Sequence, residues 1–303
     1  MKNILITGAA GFIGTNLVAK LLENKDYYIV GVDNLNPYYN PLIKDENVKA
    51  NKNPRFAFYP IDVTNKYMMT TRIFDKYKFD TVIHLAAQAG VGYSIDNSQE
   101  VLTNNIIGFD ILAKESIRQG VKHFIYASSS SVYGDDGTQK SPYAVSKATN
   151  ELQAAMYSNL YDMKFTGLRF FTVYGKGIRQ DLAICKFIKA MKNNEPIHIY
   201  GDGTQSRDFT YVDDITEAIT LILESDKVWK NEVFDIGYGR TTTVNELVSV
   251  LKEIVNPSFD KIIYEDKKPY DVETTLANPN KLYEWFGFKP RYSIKEGLEK
   301  WQQ

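Results

Sequence analysis

Thr7-Gly8-Ala9-Ala10-Gly11-Phe12-Ile13-Gly14 decides the reading of this chain. The apolar run Ile4-Leu5-Ile6 before it predicts a buried strand, and Phe12, Ile13, Leu17, Val18, Leu21 and Leu22 recur after it at helical spacing. Glycines at a strand-to-helix turn allow a tight bend, let a pyrophosphate approach the helix N-terminus, and let helix and strand pack closely. A tight turn alone would use the same residues, so the context has to decide. Tyr28-Ile29-Val30-Gly31-Val32 predicts a second strand ending in Asp33, about twenty residues beyond the glycines, where a carboxylate can accept both ribose hydroxyls of adenosine. That carboxylate would repel a 2'-phosphate, which favours NAD over NADP; the alternative for Asp33 is a strand-end turn residue.

Working outward, the 303 residues suffice for one large or two modest domains, and 44% hydrophobic residues can fill a core. A net charge of -1 without a basic block points away from nucleic acid and from an anionic membrane surface, and towards small-molecule chemistry. With no signal-like segment and no run long enough to span a bilayer, the expected location is cytoplasmic. The single Cys185 excludes an internal disulfide, and His84, His123 and His198 show no ligand spacing, so no metal site is expected.

Along the chain, Asn34 to Pro54 is too rich in Pro, Asn and polar residues for regular structure and is expected to be a loop with a short helix at most. Strands are expected over 55–61, 81–87, 121–127 and 166–170, with helices over 66–77, 101–118 and 143–160. The small residues Ala86, Ala87, Ala89 and Gly90 closing the fourth strand permit close ligand approach, although packing would also explain them. This alternation implies an α/β fold with a Rossmann-type doubly wound parallel sheet, whose ligands sit beyond the carboxyl ends of the strands. After Phe170 the pattern becomes irregular, with helices over 182–191, 244–254 and 279–286 and an aromatic-rich end expected to be core. The expected division is a dinucleotide-binding domain of residues 1–170, to which 211–238 returns, and a smaller C-terminal substrate-binding α/β domain of 171–210 and 239–303.

Tyr143-Ala144-Val145-Ser146-Lys147 sets a phenol and an ammonium one helical turn apart on one face. Bringing a tyrosine from its usual pKa near 10 to about 7 requires roughly 4 kcal/mol of differential interaction, which a lysine together with an oxidised nicotinamide can supply. By itself the pair is commonplace. With the glycine turn and the serine run Ser128-Ser129-Ser130-Ser131 after the fifth strand, it becomes a candidate catalytic group.

These residues, together with Leu168-Arg169-Phe170-Phe171-Thr172-Val173-Tyr174-Gly175 and Arg207-Asp208-Phe209-Thr210-Tyr211-Val212-Asp213-Asp214, resemble the extended short-chain dehydrogenase/reductase family over nearly the whole chain. Within it they resemble the nucleotide-sugar epimerases, and most closely those acting on UDP-glucuronate, through Asp33-Asn34-Leu35-Asn36-Pro37-Tyr38-Tyr39 and Leu85-Ala86-Ala87-Gln88-Ala89-Gly90-Val91. The resemblance implies that Gly8, Gly11 and Gly14 hold the NAD pyrophosphate, Asp33 the adenosine ribose, Asp62 and Val63 the adenine, and Lys147 the nicotinamide ribose. Phe12, Ile13, Asn34, Leu85, Ala86, Ala87 and Asn105 complete the implied cofactor set. Tyr143 is the implied base and Ser129 the hydroxyl bridging substrate O4 to the phenolate. Arg207 is implied for the diphosphate, Thr172 and Arg179 for a substrate carboxylate, and Ser130 and Ser131 for the sugar; a surface arginine is the alternative for Arg179.

The implied reaction removes the O4 proton and the C4 hydride, turns the 4-keto sugar over, and returns hydride to the opposite face. Related dehydratases carry an Asp-Glu pair after the catalytic Ser or Thr, and related decarboxylases carry Glu where Ser131 stands; this chain has only serines there, which favours epimerisation. Two features depart from the glucuronate-type pattern. Gly92 stands where Arg is usual, and the segment between Gly134 and Tyr143 is short. The competing expectations are a 4-epimerase of a neutral UDP-hexose, a related dehydratase, decarboxylase or reductase, and a non-catalytic NAD-binding regulator. Helices 101–118 and 143–160 resemble those that pair relatives into dimers, so a homodimer is expected.

Overall fold

A computed structural model describes residues 1–303 except Asp135, Pro269 and Gln303. Seven strands make one parallel sheet: β1 (Lys2–Thr7), β2 (Tyr27–Val32), β3 (Phe56–Tyr59), β4 (Thr81–His84), β5 (His123–Ser129), β6 (Lys164–Phe170) and β10 (Asn231–Ile236). Their order is β10-β6-β5-β4-β1-β2-β3, so the winding reverses between β1 and β4. A crevice opens at such a reversal beyond the strand ends, and this positions the site. The strands β1, β2 and β4 are buried at nearly every position, as expected of strands covered on both faces.

Helix α1 (Phe12–Leu22) covers one face of the sheet together with α9 (Val212–Glu224), burying Leu17, Val18, Leu21, Ile215, Ala218 and Ile222. The other face carries α6 (Gly108–Gln119) and α7 (Pro142–Leu160), over a core of Phe109, Leu112, Phe124, Tyr157 and Phe165. Ser141 caps α7 by accepting from the Ala144 amide at 3.1 Å, and Pro142 starts the helix where its missing N–H costs nothing.

Several local expectations are corrected. The segment expected to be mostly loop holds a ten-residue helix, α2 (Pro41–Ala50), capped by Asn40. Its docking is polar: Asn47 donates to the Ala10 carbonyl and Asn51, just beyond its end, to that of Thr15, both at 2.9 Å, so no apolar stripe announced it. The helix expected over 101–118 contains a π-turn at Thr103–Ile107 between α5 (Ser98–Leu102) and α6, and that over 66–77 is α3 (Lys66–Met68) followed by a π-turn to Phe74. Between β4 and α5 an unexpected helix, α4 (Val91–Asp96), follows Gly90.

The region expected to be irregular after Phe170 is also more regular than its sequence. β7 (Thr172–Tyr174), β9 (Ser206–Tyr211) and β11 (Thr241–Thr243) form a second sheet, and β8 (Ile197–Tyr200) pairs with β12 (Ile262–Glu265). With α8 (Ala183–Asn193), α10 (Val244–Val255) and α12 (Ile294–Gln302) they enclose a third core containing Phe187, Met191, Leu251 and Leu298. Its strands are too short to establish a period. In the aromatic end, helix α11 (Asn280–Phe286) packs Trp285 and Phe286 on Trp229 and Phe234, whereas Tyr283 stays exposed.

Candidate active site

The turn after β1 is made of backbone at contact distance. Gly8 adopts φ +72°, and a Cβ there would lie 2.7 Å from the Ala86 nitrogen. A Cβ on Gly14 would collide with the Gly8 carbonyl oxygen. Gly11 stands at the N-cap of α1 with no side-chain cap, so the first amides of the helix remain for a ligand. Open amides at a helix start, beside glycines that admit no side chain, suit a pyrophosphate.

The turn opens into a cleft of about 300 Å³ along the β1/β4 reversal. Gly8, Gly11, Phe12, Ile13, Gly14, Asp33, Asn34, Val63, Leu85, Ala86 and Ala87 line it, as do Ser129, Tyr143, Lys147 and Arg179. Residues far apart in sequence thus meet on one surface. At one end, Asp33 Oδ1 accepts from the Leu35 amide at 2.8 Å and from Lys44 Nζ at 3.3 Å in a buried ion pair. Both contacts use Oδ1, and among the described residues no partner engages Oδ2, which is free for ribose hydroxyls. Lys44 carries no sequence signal because α2 shows no apolar stripe; its charge offsets that of Asp33 and moderates the discrimination against a 2'-phosphate.

At the other end, Tyr143 and Lys147 project one turn apart from α7. Burial pushes the Tyr143 phenol above its usual value near 10, while the Ser129 side chain and the field of Arg179 pull it down. Burial lowers Lys147 to about 8. Lys147 Nζ donates to the Ala127 carbonyl at 2.8 Å and lies 5.9 Å from the centre of the Tyr143 ring. Ser129 Oγ also accepts from the Ser131 amide at 3.2 Å and donates to Ser131 Oγ at 3.1 Å, which holds the serine run around the phenol.

Glu151, one turn beyond Lys147, was missed. It accepts from Ser128 Oγ at 2.5 Å and from both Nε and Nη2 of Arg169 at 2.8 and 2.7 Å. Arg169 in turn donates to the Tyr133 hydroxyl at 2.6 Å, and Tyr133 to Asp235 at 2.8 Å, tying the serine segment to β6 and β10. The spacing of Tyr143, Lys147 and Glu151, four residues apart each time, was the available signal.

Other expected residues are not brought to the cleft lining. Asp62 accepts from Thr64 and from Asn34 Nδ2 at 2.8 Å, beside Val63; burial raises its carboxyl, but these hydrogen bonds outweigh it and hold the group low. Asn105 is buried at the π-turn, where Oδ1 accepts from the Gln88 amide at 2.8 Å and Nδ2 donates to Ser146 Oγ at 2.9 Å. It clamps the segment after β4 to α7, and the lining residue is Asn104. Ser130, Ser131 and Thr172 lie beside lining residues, which include Phe171 and Val173. Arg207 is directed to Asp271 and to the Ser206 and Glu273 carbonyls, outside this cleft. Where Gly92 replaces the usual Arg, Tyr270 takes the space: a Cβ on Gly92 would stand 3.1 Å from its hydroxyl oxygen. Asp135, in the short segment before Tyr143, lies outside the described residues.

The chain is similar to known proteins over nearly its whole length. The chain is 36% identical to a UDP-glucuronate 4-epimerase of Thermodesulfobacterium geofontis, covering 99% of this chain and 95% of the relative. It superposes on the structure of UDP-glucuronic acid 4-epimerase from Bacillus cereus in complex with UDP-glucuronic acid and NAD, with TM-score 0.92, 32% identity, and coverage of 99% and 97%. It also superposes on UDP-glucose 4-epimerase from Thermotoga maritima with UDP-glucose, with TM-score 0.88, 36% identity, and the same coverages. Residues 4–237 match the model of the NAD dependent epimerase/dehydratase family, and the chain belongs to that family.

Proposed function

We propose that the protein is an NAD-dependent 4-epimerase of a UDP-sugar, converting UDP-glucuronate to UDP-galacturonate. The observation that carries the reading is the arginine at the sugar end: Arg179 lines the same cleft as Tyr143, and its charge acts on the phenol. A guanidinium there can take a substrate carboxylate with paired hydrogen bonds. The glycine turn and the open amides of α1 hold the pyrophosphate, Asp33 with Lys44 the adenosine ribose, and Lys147 the nicotinamide ribose. NAD, when bound, supplies the hydride acceptor and donor. Tyr143 takes the O4 proton through Ser129 and returns it after the sugar has turned. Arg179 fixes the carboxylate, which keeps the carboxylate bond of the β-keto acid out of line with the ketone and so resists decarboxylation.

A second reading, a 4-epimerase of neutral UDP-hexoses, is favoured by one observation: Arg179 already pairs with Asp181, at 3.2 Å between Nε and Oδ1. Incubation of the holoenzyme with UDP-glucuronate and UDP-glucose, with products resolved by NMR, separates the two. UDP-galacturonate formation is expected; turnover of UDP-glucose alone would sink the first reading.

Three further assignments belong to this proposal. The chain divides into residues 1–170 with 211–238, and 171–210 with 239–303. It forms a homodimer through α7, whose Val145, Leu152, Met156 and Leu160 form an exposed apolar stripe at helical spacing, with Ile107 nearby in sequence to α6. It works in the cytoplasm, where a protein with one cysteine loses nothing to reducing conditions; among the described residues no helix is long and apolar enough to cross a membrane.

A further inference from the structure

Arg179 sits in a contact that joins both halves of the cleft. Its guanidinium meets Asp181 along one edge, with Nε 3.2 Å from Oδ1 and Nη2 3.3 Å from Oδ2. Asp181 Oδ2 also accepts from the Tyr38 hydroxyl at 3.1 Å, and the guanidinium carbon lies 5.3 Å from the centre of the Tyr38 ring. Tyr38 belongs to the segment between β2 and α2 that carries Asp33 at its start. Its own seat is firm: the ring meets Tyr93 edge-on at 4.6 Å, and a Cβ on Gly90 would lie 2.7 Å from its hydroxyl. Glu100 accepts from Tyr93 at 2.7 Å and from Asn36 at 3.3 Å, fastening both sides of that seat.

A guanidinium offers two edges to carboxylates, one through Nε and Nη2, the other through Nη1 and Nη2. Asp181 occupies the first. The second is open, because among the described residues no partner engages Nη1. Arg179 lines the cleft while Asp181 holds its Nε/Nη2 edge, so the Nη1/Nη2 edge is the one left for a ligand there. Burial keeps the Tyr38 phenol above its usual range, so it stays a donor to Asp181 near neutral pH.

We propose that Asp181 and Tyr38 are positioning residues that lock the Arg179 guanidinium with its Nη1/Nη2 edge towards the sugar, making recognition of an acidic sugar depend on the cofactor-side segment. This rests on the carboxylate role of Arg179. A fixed guanidinium loses less freedom on binding than a mobile one, and the benefit reaches only a ligand with a carboxylate to place.

The test measures binding of UDP-glucuronate and UDP-glucose by calorimetry to the NAD-loaded Tyr143→Phe protein, in which turnover is stopped. Adding Asp181→Asn is expected to weaken UDP-glucuronate about tenfold, the scale of one charge-assisted hydrogen bond, and UDP-glucose less than about twofold. Asp181→Glu should recover part of the loss, and Tyr38→Phe should give a selective loss of about threefold. Equal weakening of both sugars would make Asp181 a loop-stabilising residue only. Tighter UDP-glucuronate binding would show that Asp181 competes with the substrate for Arg179. Either result overturns the proposal. Arg179→Ala in the same background tells the two levels apart: if it leaves UDP-glucuronate binding unchanged, the carboxylate reading falls and this inference with it.

Discussion

At the cofactor end of the cleft Gly8, Gly11 and Gly14 present bare backbone from one short turn, whereas at the sugar end Tyr143, Ser129 and Arg179 present side chains from three separate segments. The first end offers shape and amides whose direction is set by a strand-to-helix turn. The second offers charge and protons, and each group has neighbours that act on it: Ser129 and Arg179 on Tyr143, Asp181 on Arg179, and Tyr38 on Asp181. Backbone sites tolerate no added atom, and side-chain sites tolerate no lost partner. Substitutions at the two ends should therefore fail in different ways.

The largest expected effect is at the sugar end. Tyr143→Phe should lower turnover by about a thousandfold or more, on the scale of general acid–base catalysis, yet leave NAD bound. Loss of NAD from that variant, seen in the absorbance of the purified protein, would show that the two ends are not separable. The converse experiment adds a methyl to the turn. Gly14→Ala forces a Cβ into the Gly8 carbonyl and should cost on the order of 1–3 kcal/mol of stability, with loss of NAD affinity. Gly11→Ala, whose Cβ would sit 3.1 Å from the same oxygen, should do less in thermal unfolding and NAD titration. If the order were reversed, the close approach at Gly14 would not be what shapes the cradle.

A third test reads the proton chemistry. As the proposed base Tyr143 works only when ionised, so kcat/KM should rise with pH through its titration. The Ser129 side chain pulls that value down against burial. Ser129→Ala should move the acid limb of the profile to higher pH, and a limb that stayed in place would remove Ser129 from the phenol's environment.

A fourth test concerns the floor between the two ends. Buried His84 bonds Thr7 Oγ1 at 2.7 Å, and burial, with Lys147 nearby, lowers it from 6.5 to about 3. The folded protein therefore keeps it neutral while the unfolded chain takes up a proton below 6.5. Its contribution is intact above that value and is lost as pH falls towards 3, by up to about 1.4 kcal/mol per pH unit. Denaturant unfolding of His84→Asn between pH 7 and roughly pH 4 should show a shallower slope than the parent. Equal slopes would mean the imidazole is not held neutral.

What the sequence determined follows the same division. The parallel sheet, the glycine turn, Asp33, and the Tyr143–Lys147 pair were legible because each depends on local periodicity or on spacing within one element. Helix α2 was not, since it docks through Asn47 and Asn51 on backbone carbonyls and shows no apolar stripe. Strands β7, β9 and β11 were not, since three to six residues in a small sheet carry no period of their own. Which charges meet was decided only by tertiary structure: Lys44 beside Asp33, Arg207 turned to Asp271, and Arg179 held between Asp181 and Tyr38. A side chain's partners across a cleft are set by how loops from distant strands converge. The order of residues along any one of those loops does not record that convergence.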